Sequence, residues 1–365
     1  MSGAFESAGL WDAALPFGIR CQIAGRLARS SNPDEFRLLT EYLMSPKGDP
    51  RIKASAIEAL GESPNPEARK WILSALSANE GKIVCGALRG LAKMDNPGDI
   101  RLFADLLFSI ETSAGIRAEA ARALGTLSSP EAGAQLIAAY QAMDPDDEVM
   151  REALIDGLGR RNINETVSFF RQVLADEKNP EYRLNILEAV SKAKGDTASF
   201  FMDCLSDADS KVRAEAAWNM TMIDGDYGAA LSERLRTETD PEVRQRLYEA
   251  LDGKKNIDIP LILARSLQEE DAGVQLAAYT LIATHLRDIG DDTERKSAEL
   301  ELTDEFERMA VESKTLDQRL RAVIGLRRLQ TDGSSEALKR VVARSTDPRV
   351  ITATSISLEE LMKEK

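Results

Sequence analysis

Apolar residues recur along this chain with a helical period, and that periodic unit is itself repeated. In residues 114–140, Ile116, Ala120, Ala123, Leu124 and Leu127 fall on one face of a 3.6-residue period. A breaker follows at Ser128-Ser129-Pro130, after which Ala132, Leu136, Ile137 and Tyr140 form a second apolar stripe. The stretch predicts helix, turn, helix. Aligning every copy on the residue equivalent to Ile116 gives the anchors Ile19, Ile52, Ile83, Ile116, Met150, Tyr182, Val212, Val243, Val274, Gln318 and Val350. The spacings are 33, 31, 33, 34, 32, 30, 31, 31, 44 and 32 residues, a period that predicts a stacked array of helix pairs with one long interval.

Each column of the alignment has a physical reason. Eight residues after the anchor every copy is aliphatic, from Leu27 to Leu358, and seven after it most copies are small (Ala59, Gly90, Ala123, Gly157, Ala189, Ala250, Gly325), which lets a neighbouring helix approach closely. Three residues before the anchor stand Asp49, Ser113, Asp147, Asn179, Asp209, Asp240, Asp271, Thr315 and Asp347. Their side chains can accept from the free N–H groups of a helix start, at about 1 kcal/mol each. Pro50, Pro180, Pro241 and Pro348 follow directly, where a missing N–H costs nothing. One residue after the anchor, Arg20, Lys53, Arg117, Arg151, Arg183, Arg213, Arg244 and Arg319 form a cationic column. The expectation is a ladder in which each cation meets an acid of an adjacent repeat; the alternative is a solvated column whose aliphatic stems cover the core edge.

The second helices carry apolar sets such as Leu38/Leu39/Tyr42 and Phe200/Phe201/Cys204. Positions equivalent to Gln135 should face away from the core, and they are mostly polar except for Trp71, which lies between Arg37 and Arg101 in the neighbouring copies. Trp and Arg are enriched in binding hot spots. Arg37, Trp71 and Arg101, with Arg171 in the next outward column, are therefore the candidate contact residues for an acidic or aromatic peptide segment. The rival reading is a one-residue shift that puts Trp71 in the core.

Composition narrows the class. The chain has 365 residues, 43% hydrophobic, 30% charged and only 5% aromatic, a profile that suits closely packed helices. Its formal charge of −14 disfavours an extended nucleic-acid footprint. Residues 286–312 hold four basic and ten acidic side chains, whereas 313–350 hold nine basic and four acidic. Cys21, Cys85 and Cys204 lie far apart with no CxxC, as small core residues in a reducing compartment would. No stretch approaches the roughly 18 apolar residues of a membrane span. The first twenty residues lack a basic n-region and a continuous apolar segment. Cytoplasmic placement is the default expectation, or periplasmic if a signal peptide has been removed.

The repeats resemble the HEAT family, and the DPxVRxxAxxAL form of residues 240–251 is most similar to its short bacterial, bilin-lyase-type subclass. The likeness implies an all-α, right-handed α-solenoid of about ten helix-turn-helix HEAT-like repeats plus a C-terminal capping helix. Residues 1–17 read as an N-terminal tail and cap, and 18–365 as a single solenoid with a polar insert around 287–297 and a long second helix from 299 to 312. The family also implies that first helices form the convex face and second helices line the concave one.

No catalytic constellation accompanies the repeats. A single histidine, His285, removes multi-imidazole metal chemistry and with it the family's di-iron hydroxylases. There is no GxxxxGK[ST], no GxGxxG after a strand and no GxSxG elbow. No cofactor is expected. The reading is a non-enzymatic, monomeric scaffold or adaptor that holds a protein or peptide partner on its concave face. The repeat subtype keeps open a bilin-lyase-like enzyme or chromophore chaperone, which would need a large cavity lined by acidic and aromatic groups. A HEAT-like DNA glycosylase would need a basic, aromatic-lined groove, against the net charge.

Overall fold

The computed structural model describes residues 9–144 and 146–364. The named elements are helices, with one isolated bridge between Asn162 and Lys194. They fall into two compact units, Met1–Thr197 and Ala198–Lys365. In the first unit the helices are α1 (Phe17–Ala28), α2 (Pro33–Met44), α3 (Pro50–Ala59), α4 (Ala68–Ala75), α5 (Gly81–Lys93), α6 (Ile100–Phe108), α7 (Ala114–Thr126), α8 (Pro130–Ala142), α9 (Glu148–Gly159), α10 (Ile163–Asp176) and α11 (Pro180–Ser191). The second contains α12 (Ala198–Cys204), α13 (Ser210–Thr221), α14 (Gly228–Thr237), α15 (Pro241–Leu251), α16 (Ile259–Ser266), α17 (Ala272–Thr284), α18 (Asp292–Glu312), α19 (Leu316–Leu329), α20 (Asp332–Arg344) and α21 (Pro348–Glu364). The chain is an all-α solenoid of repeated helix pairs.

The helix starts form as their chemistry dictates. Asp49, Asp147, Asn179, Asp209, Asp240, Asp271, Thr315 and Asp347 each accept a hydrogen bond from a first-turn N–H. Ser113 does not. The eighth positions are buried in every copy but Leu358, and seven of the eleven anchors are buried, whereas Ile19 is exposed and Ile116, Tyr182 and Gln318 are half-buried; the stripe closes the core between the two layers. Of the expected cap, residues 1–8 lie outside the described residues. Beyond them Leu10 is buried, and Trp11 packs edge-on against Tyr42 at 4.8 Å between ring centroids.

Two local features differ from the sequence reading. The expected insert around 287–297 is a short 3-10 turn, Leu286–Asp288, followed by a helix that starts at Asp292 rather than near Glu299. Asp291 caps it by accepting from the N–H groups of Thr293 and Glu294, and Asp292 and Glu294 complement the positive end of its dipole. The polar run is thus helix, because strong formers follow a good cap with no breaker between them.

The cationic column has a second partner that the sequence did not suggest. Arg20 donates to the Leu10 carbonyl at 2.8 Å, Lys53 to Ser45 at 2.6 Å, Arg117 to Leu107 at 3.1 Å and Arg183 to Glu177 at 3.0 Å. Arg213 and Arg244 reach Asp207 and Thr239 in the same way. The last carbonyls of a helix have no partner within it, and these cations satisfy carbonyls at or just beyond the preceding helix's end. The expected acid contacts occur as well, between Arg151 and Glu177, Arg213 and Glu238, Arg244 and Glu269, and Arg319 and Asp347.

Candidate functional site

The two layers differ in spacing. Within each unit, first helices pack on first helices more extensively than second helices on second helices, α18 against α20 excepted. The cause is the small residues. A Cβ on Gly125 would lie 2.2 Å from the carbonyl oxygen of Gly157 in the next first helix, and one on Gly61 would lie 2.3 Å from that of Gly90. In the second unit side chains two repeats apart meet directly. Arg321 on α19 donates to Glu249 on α15 at 2.7 Å, and Arg328 to Asp252 at 2.6 Å, across the small Ala277 and Thr280 of α17. In the second unit, side chains that bridge two repeats place the first-helix layer on the enclosed side. Glycine and alanine columns draw the first helices together.

Three columns of the first helices look out from this layer, at three, six and ten residues after the anchor. In the first unit they carry ion pairs from repeat to repeat. Arg29 pairs with Glu62, Lys93 with Glu62 and Glu58, and Arg89 with Glu58 and Glu119. Further along, Arg122 and Arg160 share Asp156. A cavity of about 550 Å³ lies over Arg89, Lys93, Glu119, Arg122, Thr126 and Arg160, and no aromatic ring lines it. The lining that a chromophore-holding site would require is missing there.

In the second unit the same columns change character. Trp218, Met222, Ile324 and Ile356 occupy them and are 45%, 80%, 40% and 52% exposed. The Arg246 guanidinium lies over the Trp218 indole at 4.8 Å, pairs with Glu249 at 2.9 Å, and so joins the arginine bridge from α19. Burial pushes the Glu249 carboxyl up, but donation from Arg321, Gln245 and Arg246 more than offsets it and holds the group below its usual range. A cavity of about 190 Å³ lies beside this belt, between Tyr248, Leu276, Thr280, Ile324 and Arg328. The belt presents apolar and aromatic surface held in place by a fixed charge network.

The residues expected from sequence lie elsewhere, on second helices of the first unit. Arg37 on α2 and Arg101 on α6 are exposed, pairing with Asp34 at 3.2 Å and Asp105 at 3.9 Å on their own helices. Trp71 on α4 is half-buried, while its neighbour Ile72 takes the core position. Arg171 on α10 is exposed. Among the described residues no hydrogen bond, ion pair or cation–π contact joins any two of Arg37, Trp71 and Arg101. Sequence reasoning missed Trp218 because it followed the second helices; the available signal was an indole in a column filled by Glu58, Arg89, Arg122, Asp156 and Glu188 in the earlier copies.

Among the described residues no group of three or more histidine, cysteine and acidic side chains could hold a metal ion, and no helix is long and apolar enough to cross a membrane. The sequence matches the family described as HEAT repeats over residues 36–109, 110–191 and 134–221. No match is found among curated proteins. Solved structures similar to this chain include Kap121p bound to Pho4p, with a TM-score of 0.54 at 13% identity, covering 99% of this chain and 46% of that one. Another is Kap95p, whose binding induces the switch loops of RanGDP to adopt the GTP-bound conformation. It gives a TM-score of 0.53 at 12% identity, covering 100% of this chain and 52% of that one. The chain thus spans about half the length of these relatives, and the likeness is one of fold.

Proposed function

From the premise that this chain belongs to the HEAT-repeat family, we propose that it is a non-enzymatic scaffold that holds a protein partner along the inner, first-helix face of its second unit. One observation carries the reading: Trp218, Met222, Ile324 and Ile356 are exposed in columns that the first unit fills with ion-paired charge. Exposed aromatic and apolar groups cost solubility unless something covers them, and a fixed belt of Arg246, Glu249 and Arg321 supplies the polar rim of an interface. The similar karyopherin-type solenoids are bound to proteins in their own structures, which agrees with this use of the fold. The patch around Arg37, Trp71 and Arg101 is the competing surface, kept in play because the indole is not buried.

The two surfaces are separated by placing a photo-crosslinking side chain at position 222, 71 or 44 in turn and irradiating the host cells. Discrete protein adducts from position 222, absent from position 44, a second-helix methionine that is also exposed, are the expected result. Adducts from position 71 alone would move the interface to the second helices. Equal labelling at all three positions would remove the scaffold reading.

A further inference from the structure

A second surface, on the outer layer of the second unit, has its own chemistry. Helix α18 is 21 residues long, whereas α16 beside it has eight. None of its residues from 292 to 301 is buried; its core contacts begin at Leu302. About 15 Å of helix, at 1.5 Å per residue, therefore precedes its buried stretch. Between this overhang and α16 lies a cavity of about 170 Å³, floored by Tyr279 and Ile282 and walled by Leu263, Leu267, Ala298 and Leu302. A cavity of about 150 Å³ is enough to admit a benzene ring, so this one has room for a leucine or phenylalanine side chain. Leu267 at its mouth and Leu300 on the overhang are each 66% exposed.

The rim of this groove carries carboxylates that, among the described residues, have no ion-pair partner. Glu294 and Glu301 line it. The other acids of the unit that face a groove or core are answered by arginine: Glu238 by Arg213, Glu249 by Arg321, Asp252 by Arg328, Glu269 by Arg244 and Glu307 by Arg340. An apolar slot edged by uncompensated carboxylates complements one kind of occupant. We propose that the groove between α16 and the overhang of α18 docks a basic amphipathic helix of a partner protein, its apolar side chain entering the slot and flanking lysines or arginines meeting Glu294 and Glu301. This site lies on the opposite layer from Trp218 and stands or falls independently of it.

The test uses the full chain and a fluorescent amphipathic peptide made only of leucine and lysine, followed by anisotropy at physiological salt. The wild-type chain should bind it and should leave the matching leucine–glutamate peptide free. Replacing Glu294→Lys together with Glu301→Lys should weaken binding about tenfold or more, and so should Leu267→Ser. Glu301→Lys alone, away from the helix start, should give a smaller loss in the same direction, with thermal melts confirming that each variant folds. Reversing two exposed acids elsewhere in the unit, Asp317→Lys with Glu359→Lys, should change affinity by less than about twofold. An equal loss in groove and control variants would reduce the effect to net charge and overturn the proposal. So would failure of the wild-type chain to bind the basic peptide at all.

Discussion

Gly115 and Gly125 lie on the same helix, α7, and the same substitution at each is expected to act in opposite directions. A Cβ on Gly115 meets nothing within 4 Å, so Gly115→Ala removes backbone freedom from the unfolded chain and gains helix propensity. It should raise stability by up to about 1 kcal/mol. A Cβ on Gly125 would stand 2.2 Å from the carbonyl oxygen of Gly157, so Gly125→Ala must push two backbones apart. Overpacking of this kind costs about 1–3 kcal/mol, more than propensity returns. Urea unfolding of the two variants checks the pair, and equal effects would contradict the close approach. The same contact recurs where the ninth residue after one anchor meets the seventh after the next, as Gly61 meets Gly90 and Gly159 meets Ala189. These contacts set the spacing of the first-helix layer.

Among the elements, the link between α13 and α14 turns on one carboxylate. Glu238 is almost wholly buried and accepts from Arg213 at 2.8 and 2.9 Å, from Arg234 at 3.1 Å, and from the N–H groups of Thr239 and Asp240 at 3.0 Å. Burial alone pushes its pKa up, but the hydrogen bonds and charge of Arg213, with the two backbone donors, bring it from 4.5 down to about 2. A depressed carboxylate stabilises the fold above its unfolded value and loses that contribution as pH falls through the folded one. The stabilisation should therefore be complete above about pH 5 and decline toward about pH 2, by on the order of 3 kcal/mol. Glu238→Gln, which leaves Arg213 buried without its counter-ion, should cost several kcal/mol at neutral pH, on the order of 3–5. Its stability curve should be flatter across the acid window and approach the wild-type curve at the bottom of it. Parallel curves for the two proteins, from urea unfolding at stepped pH, would assign the acid sensitivity elsewhere.

This link also shows how far the sequence could be read. The caps were legible because they are local: an Asp or Asn before a first turn has its partners two or three residues away, as Asp240 accepts from Glu242 and Val243. The arginine after each anchor was legible as a column, and its acid partners as a period, since Glu238 follows Arg213 by 25 residues just as Glu269 follows Arg244. Its carbonyl partners were not, because every residue has a carbonyl and only the chain's path places one beside a guanidinium. Trp218 was missed for a related reason. Which columns share an exposed face depends on how neighbouring repeats pack, through glycine-to-carbonyl distances that no periodicity contains. Trp71 stood out in its own column, yet the fold leaves it half-buried on a second helix with Arg37 and Arg101 each held by an acid of its own helix.

At the scale of the molecule, stability should behave as a sum of neighbours rather than one cooperative whole. Each first helix packs chiefly on the first helices before and after it, and in most repeats on the second helix that precedes it, so a lesion is felt by adjacent repeats. The chain divides into two compact units, each with its own buried core. Leu154 on α9 is fully buried in the first, and Leu247 on α15 in the second. Leu154→Ala removes buried methyl groups and leaves a cavity, at about 2–5 kcal/mol. Hydrogen exchange should then quicken in α7 to α11 by the factor that this energy implies, while α19 to α21 keep their wild-type protection. Leu247→Ala should do the reverse, exposing α13 to α17 and sparing α3 to α7. Long arrays lose two-state behaviour in this way, and a single midpoint would then misdescribe them. If either substitution quickened exchange evenly from α1 to α21, the repeats would unfold as one unit and the division between them would have no thermodynamic meaning.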